Sequence, residues 1–256
     1  MRAFLLSLAL AHAAVPLSAL ELTLRDSFEF PRAASLAYDA EVCGFWVAIE
    51  GPQIFLLNPA GQEVRRVEPG FRTIRSLTVE VDGLMIADGY GSFQRIDREG
   101  NALSAPFRLA EGLYDVEGLH REPDGSYLVV EDDAARLMRI APDGERLLEI
   151  LGTAVDPIMT EPQGVARDPI TGNILVVDDN EGLNAIFEFT GAGELLSVTP
   201  LSAYGWDAEG IAVQAQTGTL WVGFDSGQRI AIFDYVPTRP PEGLALLDDG
   251  PDCALS

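Results

Sequence analysis

Short runs of aliphatic, β-branched and aromatic residues alternate along this chain with turns rich in Gly, Pro, Asp and Asn, and the alternation is periodic. One unit begins Ser35-Leu36-Ala37-Tyr38, continues as Phe45-Trp46-Val47-Ala48 and then as Ile54-Phe55-Leu56-Leu57. The same three-run unit returns from Ser76-Leu77-Thr78-Val79, Gly118-Leu119-His120-Arg121, Gly164-Val165-Ala166-Arg167 and Gly210-Ile211-Ala212-Val213. The equivalent aliphatics Leu36, Leu77, Leu119, Val165 and Ile211 stand 41, 42, 46 and 46 residues apart. Runs this short, bounded by signals such as Asp82-Gly83, Asp124-Gly125 and Thr171-Gly172-Asn173, read as strands. A period in the forties built from strands alone is the pattern of a β-propeller blade.

A fourth, more polar run follows the third in four of the repeats, at 63–67, 102–109, 146–150 and 194–199. The fifth repeat lacks one. Its third run is followed by Pro237, Pro240 and Pro241, and proline cannot donate to a strand ladder. An unassigned strand at 22–28 precedes the first repeat. The expected fold is therefore all-β: a propeller of five four-stranded blades, with the N-terminal strand completing the last blade and covering its edge. Six blades are the alternative, but the remaining tail is too short and too rich in proline to supply another. The expected organisation is one propeller domain over 20–236, preceded by a leader at 1–19 and followed by a Pro-rich tail at 237–256.

Composition adds a compartment and removes several chemistries. Met1-Arg2, an apolar run at 3–15 and small residues up to Ala19 read as a secretory signal peptide. That run falls short of the ~20 apolar residues a membrane helix needs, and no later stretch qualifies. The mature chain is expected to be periplasmic or secreted, without a membrane span, and monomeric. The full sequence has a formal charge of −23, from 40 acidic and 17 basic residues, which excludes nucleic acid as a partner. A small-molecule or protein ligand, or a cation, is easier to accommodate. Every basic residue is Arg, so lysine Schiff-base and P-loop chemistry are absent. Cys43 and Cys253 form an even pair in an exported chain, which suggests a disulfide. Cys43 falls in the first turn of blade one and Cys253 beyond the third strand of blade five. Ring closure makes these blades neighbours, with both points on one face.

Two repeats carry a family resemblance. Glu161-Pro162-Gln163-Gly164-Val165-Ala166, continued by Asn173-Ile174-Leu175-Val176-Val177-Asp178-Asp179-Asn180, resembles the NHL-type propeller repeat. Asp115-Val116-Glu117-Gly118-Leu119, continued by Pro123-Asp124-Gly125 and Val130-Glu131-Asp132, is similar to the SdiA-regulated and phytase-like esterase propellers. Asp207-Ala208-Glu209-Gly210-Ile211 repeats that step in the fifth unit. The resemblance implies a propeller, a fold that serves lactonases, phosphoesterases and binding proteins alike. It also implies a divalent cation in the central funnel.

The loops before each first strand and after each second strand fall on one face, and that face is acidic. Arg75, Glu117, Gln163 and Glu209 hold equivalent positions in four blades and should converge on the axis. The second set of loops adds Glu50, Asp132, Asp178, Asp179 and Asp225. Crowded carboxylates suit a hard cation such as Ca2+, which takes 6–8 oxygens. Glu117, Glu209 and Asp178 are the expected metal ligands, and Arg75, Gln163, Trp206 and Asp225 the expected ligand contacts. His120 replaces the Ala or Thr found in the other blades and is the candidate base or metal ligand of the channel. The expected function is a binding module that recognises a small ligand or protein on its acidic face, with Ca2+ or another divalent cation. The alternative is a metal-dependent hydrolase acting on an ester, lactone or phosphoester.

Overall fold

The computed structural model describes residues 19–214, 217–238 and 253. The signal-peptide expectation falls on residues 1–18, and most of the expected tail on 239–252 and 254–256, outside the described residues. Strand β1 (Glu21–Glu29) opens the described chain. Blade one follows as β2 (Ser35–Asp39), β3 (Gly44–Ala48), β4 (Ile54–Leu57) and β5 (Glu63–Val67). Blade two has β6 (Ser76–Glu80), β7 (Gly83–Ala87) and β8 (Phe93–Ile96). Blade three has β9 (Val116–Arg121), β10 (Tyr127–Glu131), β11 (Arg136–Ile140) and β12 (Arg146–Leu151). Blade four has β13 (Pro162–Arg167), β14 (Ile174–Asp178), β15 (Ala185–Phe189) and β16 (Leu195–Pro200). Blade five has β17 (Ala208–Gln214), β18 (Thr219–Phe224) and β19 (Arg229–Val236). Strand β1 is its fourth member, pairing antiparallel with β19 from Glu21 opposite Val236 to Glu29 opposite Arg229. The fold is a five-bladed β-propeller, closed by the N-terminal strand as expected.

Burial follows position in the blade. The second strands β3, β7, β10 and β14 are buried at every residue, because each is covered on both faces by the neighbouring blades. This explains their continuous apolar runs in place of simple alternation. The outer strand β5 is almost wholly exposed and correspondingly charged. One apolar wedge fills each junction. Trp46, Ile54 and Ile86 lie between blades one and two, Met85, Phe93 and Met138 between two and three, and Leu128, Val165 and Phe187 between three and four. Leu175, Ile211 and Phe233 lie between four and five. At the closing junction Phe45 of blade one stacks on Trp221 of blade five with centroids 3.9 Å apart.

Blade two departs from expectation at its outer edge. The run at 102–109 makes two isolated bridges, Ala102 to Ile96 and Phe107 to Phe93, in place of a regular strand. Two local features interrupt the ladder. The Ser104 hydroxyl accepts the Arg95 N–H at 3.1 Å, a side chain standing in for a backbone acceptor. Pro106 then has no N–H to offer.

The disulfide is formed: Cys43, in the turn between β2 and β3, bonds Cys253 with Cα atoms 5.4 Å apart. It joins points 210 residues apart in the chain, ties the segment beyond β19 to blade one, and so reinforces the junction that β1 closes. A crosslink over so long a loop stabilises by about 5 kcal/mol through the unfolded ensemble, in the chain-entropy model. Among the described residues no helix is long and apolar enough to cross a membrane.

The inner strands meet around the axis at one equivalent residue per blade. Cβ atoms at Gly118, Gly164 and Gly210 would collide with the carbonyl oxygens of Gln163, Glu209 and Ala33, each in the next blade. Blades one and two have Ser35 and Ser76 there. The Ser35 hydroxyl accepts the Leu77 N–H at 3.2 Å, and the Ser76 hydroxyl donates to the Val116 carbonyl at 3.4 Å. Replacing Gly164 by Ala should therefore separate two inner strands and cost about 2 kcal/mol or more, as overpacking does. A denaturant titration that left the midpoint of Gly164→Ala unchanged would show that the strands have room to spare.

Candidate functional site

In blades three, four and five the inner strand carries one extra residue at its axial end. Register shifts fall between Val130 and Glu131 opposite β9, between Pro162 and Val165 in β13, and between Ala208 and Ile211 in β17. Blades one and two keep an unbroken register. A β-bulge bends its strand and re-aims a side chain. The bulged segments contain Glu117, Gln163 and Glu209, each directly before the glycine of the close approach. The positions four residues before the conserved-spacing aliphatics also match: Arg32, Asp115 and Asp207 take positive φ of 38°, 60° and 68°. The loops therefore bring polar side chains from several blades to one end of the channel.

Charge is balanced on one side of that ring and unbalanced on the other. Arg75 of blade two contacts the Glu117 carboxylate directly and lies 3.6 Å from Asp115 and 4.0 Å from Glu50. Arg32 lies 3.3 Å from both Glu50 and Asp225. Two guanidinium groups thus cover the carboxylates of blades one to three and the edge of blade five. On the remaining side Asp179, Asp207 and Glu209 offer oxygen atoms that all lie within 4.8 Å of one another. Among the described residues no arginine pairs with any of the three. Asp207 accepts hydrogen bonds from Asn180 Nδ2 at 2.6 Å and Ser226 Oγ at 3.0 Å. Asp179 Oδ1 accepts the Glu181 N–H at 2.7 Å. Beside them Gln163 Nε2 donates to Asp132 Oδ2 at 3.1 Å, while the buried Asp132 Oδ1 has no hydrogen-bond partner.

The carboxyl groups respond to this crowding. Burial, followed by the charges of Asp207, Glu50, Glu117 and Asp179, pushes Glu209 up to about 9. Burial raises Asp179 to about 6 against two backbone N–H donors. Glu117 rises to about 7 through burial, opposed by Arg75. Asp132 is raised by burial and by the nearby Glu161 carboxyl. Such shifts mark negative charge that the site holds poorly without a counter-charge.

The residues singled out by sequence fall in four places. Arg75, Glu117, Gln163, Glu209 and Asp225 stand at the acidic end, with Arg75 engaged by Glu117 and Asp225 by Arg32. Asp178 is turned away: its carboxylate accepts the N–H groups of Thr160 at 3.0 Å, Glu161 at 2.8 Å and Leu183 at 2.6 Å. It pins the neighbouring loops, and Asp179, the next residue, faces the cluster instead. Trp206 is exposed in a groove at the edge of blade five beside Phe28 and Arg229, outside the carboxylate group. His120 lines the opposite end of the channel. Asp207 was legible as a loop acid but not as a member of the cluster. Its signal was the repeat itself, since it precedes Glu209 as Asp115 precedes Glu117.

No protein-family model matches this chain, and no curated protein matches it in sequence. Solved structures do. Myxococcus xanthus glutaminyl cyclase superposes with a TM-score of 0.61 at 14% identity, over 87% of this chain and 100% of that one. A streptogramin B lyase gives 0.51 at 16% identity, over 87% and 74%. A protein of unknown function from Bacteroides caccae gives 0.51 at 14%, over 74% and 69%. Identities this low establish likeness of fold. The class is that of β-propeller proteins, here with five blades and an acidic end to the channel.

The titrations have a stability consequence with a definite sign. In the cation-free protein Glu209 binds its proton more tightly when folded than when unfolded. Its stabilisation is complete below its ordinary value of 4.5 and is lost as pH rises through about 9. In the presence of a chelator the wild type should lose melting temperature across that window. Glu209→Gln should flatten the decline, gaining roughly 5 °C at about pH 8 and nothing at about pH 4. Parallel slopes in calorimetric scans of the two proteins would remove Glu209 as the cause.

Proposed function

We propose that this propeller is a cation-dependent binding module: Asp179, Asp207 and Glu209 hold a divalent cation, and the acidic end of the channel recognises a small molecule or protein ligand around it. The observation that carries the reading is the gathering of three carboxylates within 4.8 Å with no arginine partner among the described residues. All three offer hard oxygen donors, the chemistry Ca2+ prefers, and water with nearby oxygens such as Asp132 Oδ1 can complete a coordination of 6–8. A bound cation supplies the counter-charge that these carboxylates lack. The likeness of the Glu-Gly steps in blades three and five to SdiA-regulated and phytase-like propellers supports the same reading. An exported chain, as the leader sequence and the Cys43–Cys253 bond suggest, would meet Ca2+ in its compartment.

A second reading, metal-assisted hydrolysis of an ester or lactone, is favoured by Asp132. Burial and the Glu161 carboxyl raise its pKa, so it stands protonated beside the cluster as an acid able to deliver a proton. A bound cation would supply Lewis-acid polarisation of a substrate oxygen.

Thermal melts in EDTA and then in Ca2+ test the cation directly. At a hundredfold excess over Kd the melting temperature should rise by roughly 5–10 °C. The double variant Asp179→Asn/Glu209→Gln should show no rise. A wild-type melt that ignores Ca2+, Mg2+ and Zn2+ alike would overturn the reading. Turnover of ester or lactone substrates by the cation-loaded protein, lost in Asp132→Asn, would put the hydrolase in place of the binding module.

A further inference from the structure

The channel opens a second time, at the end away from the carboxylate cluster. All five inner strands line a cavity there of about 320 Å3. Cavities of about this size and upward are where small ligands bind. The space exists because equivalent wall positions carry the small residues Ala37, Thr78, Ala166 and Ala212. In blade three the same position is His120, the one large side chain of the five. Among the described residues neither of its ring nitrogens makes a hydrogen bond. Burial, then the positive charges of Arg167 and Arg121, pushes His120 down to about 4, so the ring is neutral at ordinary pH. A neutral imidazole presents one N–H donor and one bare nitrogen acceptor. On this wall both can be satisfied only by water or by a ligand.

The rest of the wall carries no charge free to select an ion. Glu80 is held by Arg121 at 3.1 Å and by the Tyr127 hydroxyl, which donates to it at 2.6 Å. The backbone N–H of Arg121 is taken by Thr78 Oγ1 at 2.9 Å. Arg167 pairs with Glu122 at 3.2 Å, and its guanidinium lies against Gly172 and Gly191 in the outer turns of blade four. An anion would therefore find no guanidinium without a carboxylate partner. A cation beside His120 would meet the same two arginine charges that disfavour the imidazolium. Leu36, Ala37, Val79, Ala166, Ile211 and Ala212 supply an apolar lining. With the ionic groups matched among themselves, the cavity presents an apolar surface with a neutral imidazole set in it.

We propose that this cavity is a second binding site, for a small neutral molecule with an apolar body and a hydroxyl group, an alcohol or a phenol. The hydroxyl bonds the His120 imidazole, and the body packs on the Ala166, Ile211 and Ala212 wall. A hydroxyl both donates and accepts, so it matches either tautomer of the ring. Apolar burial supplies the attraction, and the hydrogen bond sets the preference. The site is independent of the cation cluster, which lies at the other end of the channel.

Phenol and toluene, alike in shape and differing in the hydroxyl, test the proposal on the full chain, with benzoate and benzylamine as charged counterparts. The readout is the NMR signal of the His120 ring, assigned by its loss in His120→Ala, since His12 is the one other histidine in the sequence. Phenol should shift that signal saturably and raise the melting temperature, while benzoate and benzylamine should do neither. His120→Ala installs the residue that blades one, four and five already carry, so the fold is expected to persist. Ligand-observed NMR should show this variant binding phenol about tenfold more weakly than the wild type, the loss of one hydrogen bond, and toluene no more weakly. An equal loss for both ligands would make His120 a packing residue and sink the proposal. So would phenol binding unchanged in His120→Ala, benzoate or benzylamine binding as tightly as phenol, or no saturable shift of His120 by phenol.

Discussion

Five inner strands must pass one another around a single axis, and the close approach at one residue per blade governs the rest of the molecule. Glycine at 118, 164 and 210 removes the side chain where a neighbouring carbonyl arrives, and Ser35 and Ser76 convert the same approach into hydrogen bonds. With the axis this crowded, large apolar side chains are displaced outward into the five wedges between blades. Each wedge is closed by two blades, so no blade buries its apolar faces alone. The last wedge, holding Phe45 against Trp221, exists only because β1 and the Cys43–Cys253 bond bring the two ends of the chain together.

The same constraint sets the polar ends of the channel. A residue beside the glycine cannot point along the strand interface, and in blades three to five a bulge turns it toward the axis. Glu117, Gln163 and Glu209 owe their convergence to this. Arg75 and Arg32 then neutralise one side of the ring, and the low-dielectric setting makes the uncompensated carboxylates of the other side costly. At the far end small wall residues leave a cavity beside His120. The cation proposal rests on the imbalance at the acidic end.

Much of the architecture was legible because it is written in short-range chemistry. The runs Phe45-Trp46-Val47-Ala48 and Tyr127-Leu128-Val129-Val130 announce strands buried on both faces, and the Gly-containing turns between runs set their ends. The unpaired strand near the N-terminus and the proline-rich end of the fifth repeat pointed to closure by the first strand. The irregular edge of blade two was less visible, since residues 102–109 carry enough apolar positions to read as a strand until Ser104 and Pro106 are seen breaking the ladder. The acidic end was legible as a face, through loops that recur with the repeat.

What the chain's own order of residues determined, then, was the number of blades, their strand order, the ring closure and the location of its acids, because each depends on neighbours in sequence or on exact repetition of a local unit. The tertiary structure decided which atoms meet. Asp178 and Asp179 are adjacent and chemically identical, yet one accepts three backbone N–H groups while the other faces the carboxylate cluster. His120 could be assigned to an inner strand but not to an end of the channel. Those outcomes depend on bulges that shift a strand by one residue and on partners in other loops and blades, and a one-residue shift sends a side chain to the other face.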